Sequence, residues 1–158
     1  MTDQATADPT MTRIIEAVQL GHSGAPAQAR ELLTALWDEL GPTGDALHRC
    51  TLAHHLADLQ DSTEAELAWD ERALAAVSDL TDERAQRHLP SLQVQAFLPS
   101  LHLNLADCHR RLGNVGQAQE HLARVREHLV RLPDDPYGDS IRAAVRDFVA
   151  DDPTDRRR

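Results

Sequence analysis

Apolar residues recur every three or four positions along most of the chain and rarely at every second one, the period of helices that pack by one face. The clearest run lies between Leu92 and Leu122. There Val94, Leu98, Leu101, Leu105, Cys108 and Leu112 form one stripe, and Ala118, Leu122 and Val125 form a second beyond Gly113-Asn114. Two amphipathic helices around a tight glycine turn predict a helical hairpin. A hairpin with one apolar side on each arm cannot bury that surface alone, so the pattern demands neighbouring hairpins.

Upstream the sequence supplies them. A helix from Pro9 or Thr10 to about His22 carries Ile14, Ala17, Val18 and Gly21 on one face. The turn Ser23-Gly24-Ala25-Pro26 then leads into a second helix bearing Ala29, Leu32, Leu33, Leu36, Trp37 and Leu40, which Gly41-Pro42 stops. Residues 9–41 are the first predicted hairpin. Residues 44–79 are the second: one arm, to Gln60, carries Leu47, Leu52, Ala53, Leu56 and Leu59. The other is predicted to open at Asp61, three residues before Glu64, and carries Ala65, Ala68, Trp69, Ala73, Leu74 and Val77. Both tryptophans are expected in the core. Thr81 with Asp82 and Glu83 suits a helix start and Pro90 a break. Because Val94, Leu98, Leu101 and Leu105 keep phase through Pro99, the third hairpin, residues 86–131, is expected to have a long kinked first arm. After the break at 132–136, residues 139–150 predict a capping helix with Ile141, Val145, Phe148 and Val149 opposite Arg142, Arg146 and Asp147. Residues 1–8 are polar and expected to be disordered, and 151–158 form a charged tail.

Composition narrows the class. At 158 residues the chain suits one domain, and with 41% hydrophobic but only 3% aromatic residues its core must come from Leu, Ala and Val, an all-α composition. A net charge of -10 repels phosphate backbones and anionic headgroups, so neither nucleic acid nor a membrane surface is an expected partner. Cys50 and Cys108 fall inside predicted helices as small buried thiols rather than a disulfide framework. With no basic-then-apolar leader and no run near the ~18 apolar residues of a membrane span, the expected location is cytoplasmic.

Superposing the hairpins exposes a shared pattern. The third has Leu105-Ala106, His109, Leu112-Gly113-Asn114, Ala118 and Leu122; the second Leu52-Ala53, Leu56, Leu59, Ala65 and Trp69; the first Ala17, Leu20, Gly24, Ala29 and Leu33. This resembles the tetratricopeptide repeat, with a large residue then a small one in the first helix, Gly at the turn and Ala where the second helix crosses. His109 and Leu56 stand where that family has an aromatic, and Gln60 replaces the turn Gly. Parts of the chain are also similar to uncharacterised actinobacterial repeat proteins. The resemblance implies a right-handed superhelix whose concave groove, lined by each hairpin's first helix, binds a protein or peptide without catalysis. Its groove positions fall on Ile14, Val18 and His22, on Cys50, His54 and Asp58, and on Leu103, Asp107, Arg110 and Arg111. Ile14 and Val18 replace the Lys and Asn of carboxylate-clamping members, which leaves Asn104, Arg110 and Arg111 to hold an acidic group. The expected partner groove is therefore His22, His54, Asp58, Asn104, Asp107, Arg110 and Arg111.

Two further readings stand beside that one. Cys50, His54 and Asp58 sit four residues apart on one helix stripe, a spacing that can ligate zinc or copper with His22 or His55 completing the set. Leu89, Leu92, Val94 and Phe97 in the 86–98 segment can instead cover a second copy of the chain. Catalysis and a cofactor are not expected. Cys108 and His109 point about 100° apart on a helix, Gly113-Asn114-Val115-Gly116 lacks the strand and Lys of a phosphate loop, and no HExxH or paired CxxC occurs. Finally, His102 and His109, like His121 and His128, are seven apart, which lines imidazoles along one face of each helix.

Overall fold

The computed structural model describes residues 8–88, 97–132 and 134–150; among these the chain is all-helical, and it divides into two compact units. The first comprises α1 (Pro9–His22), α2 (Pro26–Leu40), α3 (Ala46–Asp58), α4 (Thr63–Ser78) and α5 (Asp82–His88). α1 pairs with α2 and α3 with α4, as the apolar period predicts. Pro26 opens α2 at a position where a missing N–H costs nothing, and Gly24, with φ of 105°, makes the turn before it. Small residues allow the two helices to close. A Cβ placed on Gly21 would lie 3.1 Å from that of Ala29, which is fully buried. Ile14, Leu33, Leu47, Leu52, Ala53, Leu56 and Ala73 fill the rest of this aliphatic core.

Several boundaries differ from the sequence expectation. Ser62, not Asp61, caps α4: its hydroxyl accepts from the Ala65 amide at 3.1 Å, while exposed Asp61 pairs with Arg30 at 3.0 Å. α3 ends at Asp58, two residues before Gln60, whose side chain turns back to donate to the Leu56 carbonyl. Leu32 is exposed. Trp37 and Trp69 are half-buried rather than core; they meet edge to face, centroids 5.2 Å apart, with the Arg72 guanidinium 4.2 Å over the Trp69 ring.

Asp8, expected to be disordered, is a structural hub. One of its carboxylate oxygens accepts from the Met11 amide at 2.9 Å and caps α1; the other meets His48 Nε2 at 2.8 Å and Arg84 at 3.3 Å. Asp45 caps α3 through the His48 amide at 3.1 Å and takes Arg84 Nε at 2.6 Å. Arg84 thus ties the starts of α1 and α3 to α5. Burial alone would push both carboxyls up, but for Asp8 the hydrogen bonds to His48 and the Met11 amide, and for Asp45 those to Arg84 and the His48 amide, outweigh it; with the nearby positive charge they hold both below the ordinary range. Such acids stabilise the fold at neutral pH, and that contribution is lost as pH falls from about 4 through their lowered values. Asp45→Ala, which removes cap and ion pair together, is expected to cost about 2–3 kcal/mol in urea unfolding at pH 7. Asp45→Asn keeps the cap and should cost about half of that, and the difference between Asp45→Ala and wild type should shrink below pH 4.

The second unit comprises α6 (Leu98–Arg111), α7 (Val115–Leu129) and α8 (Pro136–Ala150). Pro99 stands in the first turn of α6 rather than within a long kinked arm. Residues 89–96, which that arm was expected to include, lie outside the described residues, as do 1–7 and the tail 151–158. Gly113, with φ of 80°, turns the chain from α6 into α7. The capping helix begins three residues earlier than expected, because Pro136 suits its first turn and Asp135 accepts from the Gly138 amide at 2.8 Å. Its face of Ile141, Val145 and Phe148 packs with Ala106, Leu122, Val125 and Leu132. Arg110 closes the seam: its guanidinium lies 3.8 Å over the Phe148 ring and donates to the Phe148 carbonyl at 2.9 Å, satisfying an acceptor near the helix end where positive charge is favoured. Phe148→Ala is expected to cost about 3 kcal/mol, and hydrogen exchange should show α8 amides losing protection before those of α6 and α7. Arg110→Ala should reproduce that pattern at about 1–2 kcal/mol.

Candidate functional site

Six of the nine histidines fall into two groups, one in each unit, together with His22 at the edge of the first. In the first unit, α3 carries adjacent His54 and His55, their rings 5.1 Å apart, and Asp58 one turn further on. One ligating atom from each of His54, His55 and Asp58 lies within 4.8 Å of the others. Both imidazoles are half-buried and Asp58 is exposed. His54 Nδ1 is buried and has no hydrogen-bond partner among the described residues. Burial above all, then the neighbouring charges of His54 and His22, pushes His55 down to about 4, so the ring is neutral with lone pairs available for coordination. His22, in the last turn of α1, is thereby placed on the same side.

Cys50 does not belong to this set, contrary to the stripe reading. It is 3% exposed, and burial pushes its thiol up to about 12, the environment of a core residue rather than of a thiolate ligand. Four residues advance a helix by about 400°, so an i, i+4, i+8 series drifts by about 80° across its length. The drift carries the series from Cys50 in the core to Asp58 in solvent and leaves His55, 100° from His54, as the third ligand.

The second unit holds the expected Asn104, Asp107, Arg110 and Arg111. Asp107 binds both arginines, at 3.2 Å and 3.0 Å, and Arg110 is committed to the end of α8. Leu103 packs on the α8 cluster. The heptad-spaced histidines do come together. His102 Nδ1 and His121 Nδ1 are 3.0 Å apart; His128 stacks on His102 with centroids 6.1 Å apart, and His109 on His121 at 5.5 Å with the rings 7° from parallel. Both heptad pairs are legible in the sequence, but the interleaving follows from the register of the hairpin. Burial first, then His121, His128 and Arg124, pushes His102 down to about 4.

One surface not foreseen from the sequence is an open cleft of about 520 Å³ in the first unit, lined by Arg30, Glu31, Thr34, Ala35, Asp38, Gln60 and Trp69. It lies along α2 and α4, the second helices of their hairpins, whereas the expected groove follows the first helices. Of the 86–98 segment only the ends are described, and Phe97 is half-buried.

An all-helical protein with paired helices and grouped imidazoles is the class these features define. Comparison with known proteins finds no family model that matches the sequence, no matching curated protein and no matching solved structure. No helix among the described residues is long and apolar enough to cross a membrane.

His55 and His102 titrate below an unfolded histidine near 6.5, so the unfolded chain binds more protons between about 4 and 6.5. Stability of the metal-free protein is therefore expected to be complete above about 6.5 and to decline as pH falls toward 4. Denaturant midpoints measured from pH 7.5 to 4.5 check this, and His55→Gln should flatten the decline.

Proposed function

We propose that this chain is a non-enzymatic binding protein of helical hairpins that holds a first-row divalent metal ion, of which zinc is the type, on α3. The observation that carries the reading is the convergence of His54, His55 and Asp58 ligand atoms within 4.8 Å, beside a buried His54 Nδ1 that has no hydrogen-bond partner among the described residues. Two imidazoles and one carboxylate suit zinc and its neighbours better than calcium or magnesium, which take oxygen ligands. A tetrahedral ion with Zn–N bonds of about 2.05 Å sets its donors about 3.3 Å apart. The exposed Asp58 carboxylate has the freedom to swing in, and the net charge of -10 concentrates cations at the surface. Three protein ligands leave one position for His22 or for a donor from outside. The buried thiols Cys50 and Cys108 are in keeping with a cytoplasmic setting.

A second reading, a protein- or peptide-binding scaffold of tetratricopeptide type, is favoured by the open cleft. Its wall joins an aromatic ring, Trp69, to charged and hydroxyl groups, the residue mixture of binding hot spots. Ala29, which Gly21 meets closely, stands where that family places its crossing residue.

Zinc titrated into untagged full-length protein, against a chromophoric chelator, tests the first reading. Structural zinc sites are worth about 10–16 kcal/mol, or about 3 kcal/mol per ligand, so His54→Ala should weaken binding about 100-fold. Asp58→Asn should weaken it less. An affinity unchanged by His54→Ala, His55→Ala and Asp58→Asn would sink the metal reading and leave the scaffold.

A further inference from the structure

The second unit carries a ligand-type arrangement of its own. α6 and α7 each present histidines seven residues apart, and the hairpin interleaves them in the order His109, His121, His102, His128 along its length. The two central rings do not merely stack. Their Nδ1 atoms face each other at 3.0 Å, where one must carry the proton if they hydrogen-bond in the metal-free chain. A zinc ion bound tetrahedrally by two imidazoles sets their nitrogens about 3.3 Å apart, so the separation of the observed pair is within a few tenths of an ångström of a chelating one, which is reached when the rings turn to aim both lone pairs at the ion. His128, packed on His102, has a buried Nδ1 with no hydrogen-bond partner among the described residues. His109 Nδ1 instead accepts from the Asn114 amide at 3.2 Å, which fixes its tautomer and its plane against His121.

We propose that the His102–His121 pair, with His128 beside it, is a second metal site, selective for ions that accept neutral imidazole, zinc(II) or copper(II), over calcium and magnesium. The donors carry that selectivity: the central contact is between two imidazole nitrogens, which suit borderline ions better than the harder cations that take oxygen ligands. Arg124 is the nearby opposing charge, so exchanging it for a neutral residue should tighten the site. Asn114 acts as a positioning residue through His109 and His121.

The inference is independent of the site on α3, and the experiment separates them. Full-length His54→Ala/His55→Ala protein is titrated with zinc under chelator competition, alone and with His121→Ala or His121→Gln added. Circular dichroism confirms the helices of each variant, and the Gln form keeps a polar side chain at the half-buried position should Ala loosen the hairpin. The expected result is one equivalent bound by the double variant, and at least a 100-fold loss on either substitution at His121. Calcium should fail to compete, and Arg124→Gln should bind several-fold tighter. Long-range nitrogen NMR should show the Nδ1 signals of His102 and His121 shifting on zinc addition while that of His22 does not. A double variant that binds no zinc, or one whose binding survives both His121 substitutions, overturns the proposal. Wild type binding one equivalent that is lost with His121→Ala and kept with His54→Ala supports this site and rejects the one on α3.

Discussion

Two helices joined by a three- or four-residue turn share a core only if their axes come close, and in this chain small residues set that closeness. Gly21 against Ala29 leaves no room for another carbon between α1 and α2, and the fully buried Ala53 and Ala106 stand on the first helices of the later hairpins. A chain with 3% aromatics has few large plates to fill the remaining gaps. Histidine takes several of those positions. His109, 4% exposed, stands where the repeat pattern has an aromatic, and His102, two turns earlier on the same helix, is buried at 6%. Close packing of short side chains is thus what desolvates the imidazoles, and desolvation is what keeps His55 and His102 neutral.

The same closeness governs where charge can sit. Acidic groups outnumber basic ones by 26 to 16, and those at helix starts are held by the few cations available. Arg84 spans Asp8 and Asp45, and Arg110 caps α8 while also holding Asp107. A planar fork with several N–H groups suits such bridging, and every one of the 16 Lys or Arg positions in this chain is Arg. It also reshapes the groove reading. Arg110, one of the three groups expected to hold an acidic ligand, already spends its donors on a carbonyl and a neighbouring carboxylate.

The first two hairpins and the second arm of the third were legible because period, proline and glycine agree there: Pro26 after Gly24, and Ala118 after Gly113. Legibility failed where one signal had no check. The apolar phase passes through Pro99 undisturbed, yet phase says nothing of whether a proline stands in a first turn, where it is harmless, or in an interior, where it is not. Asp8 read as disordered because composition cannot show that His48 and Arg84, 40 and 76 residues away, converge on it. Cys50 was preferred to His55 because stepping by fours ignores the drift of the stripe. The heptad histidines were visible, but their pairing depends on the offset between two helices, which a sequence does not print.

Packing alone is a poor account of the histidine ladder. Leucine or phenylalanine at His102 and His128 would fill the same space without a polar atom, whereas a buried nitrogen with no partner costs about 1–3 kcal/mol. Among the described residues His54 Nδ1 and His128 Nδ1 both bear that cost; His54 converges with His55 and Asp58, and His128 stacks on His102. Both lie beside other imidazoles, one in each compact unit, the environment in which a borderline metal ion offsets the penalty by accepting the lone pair.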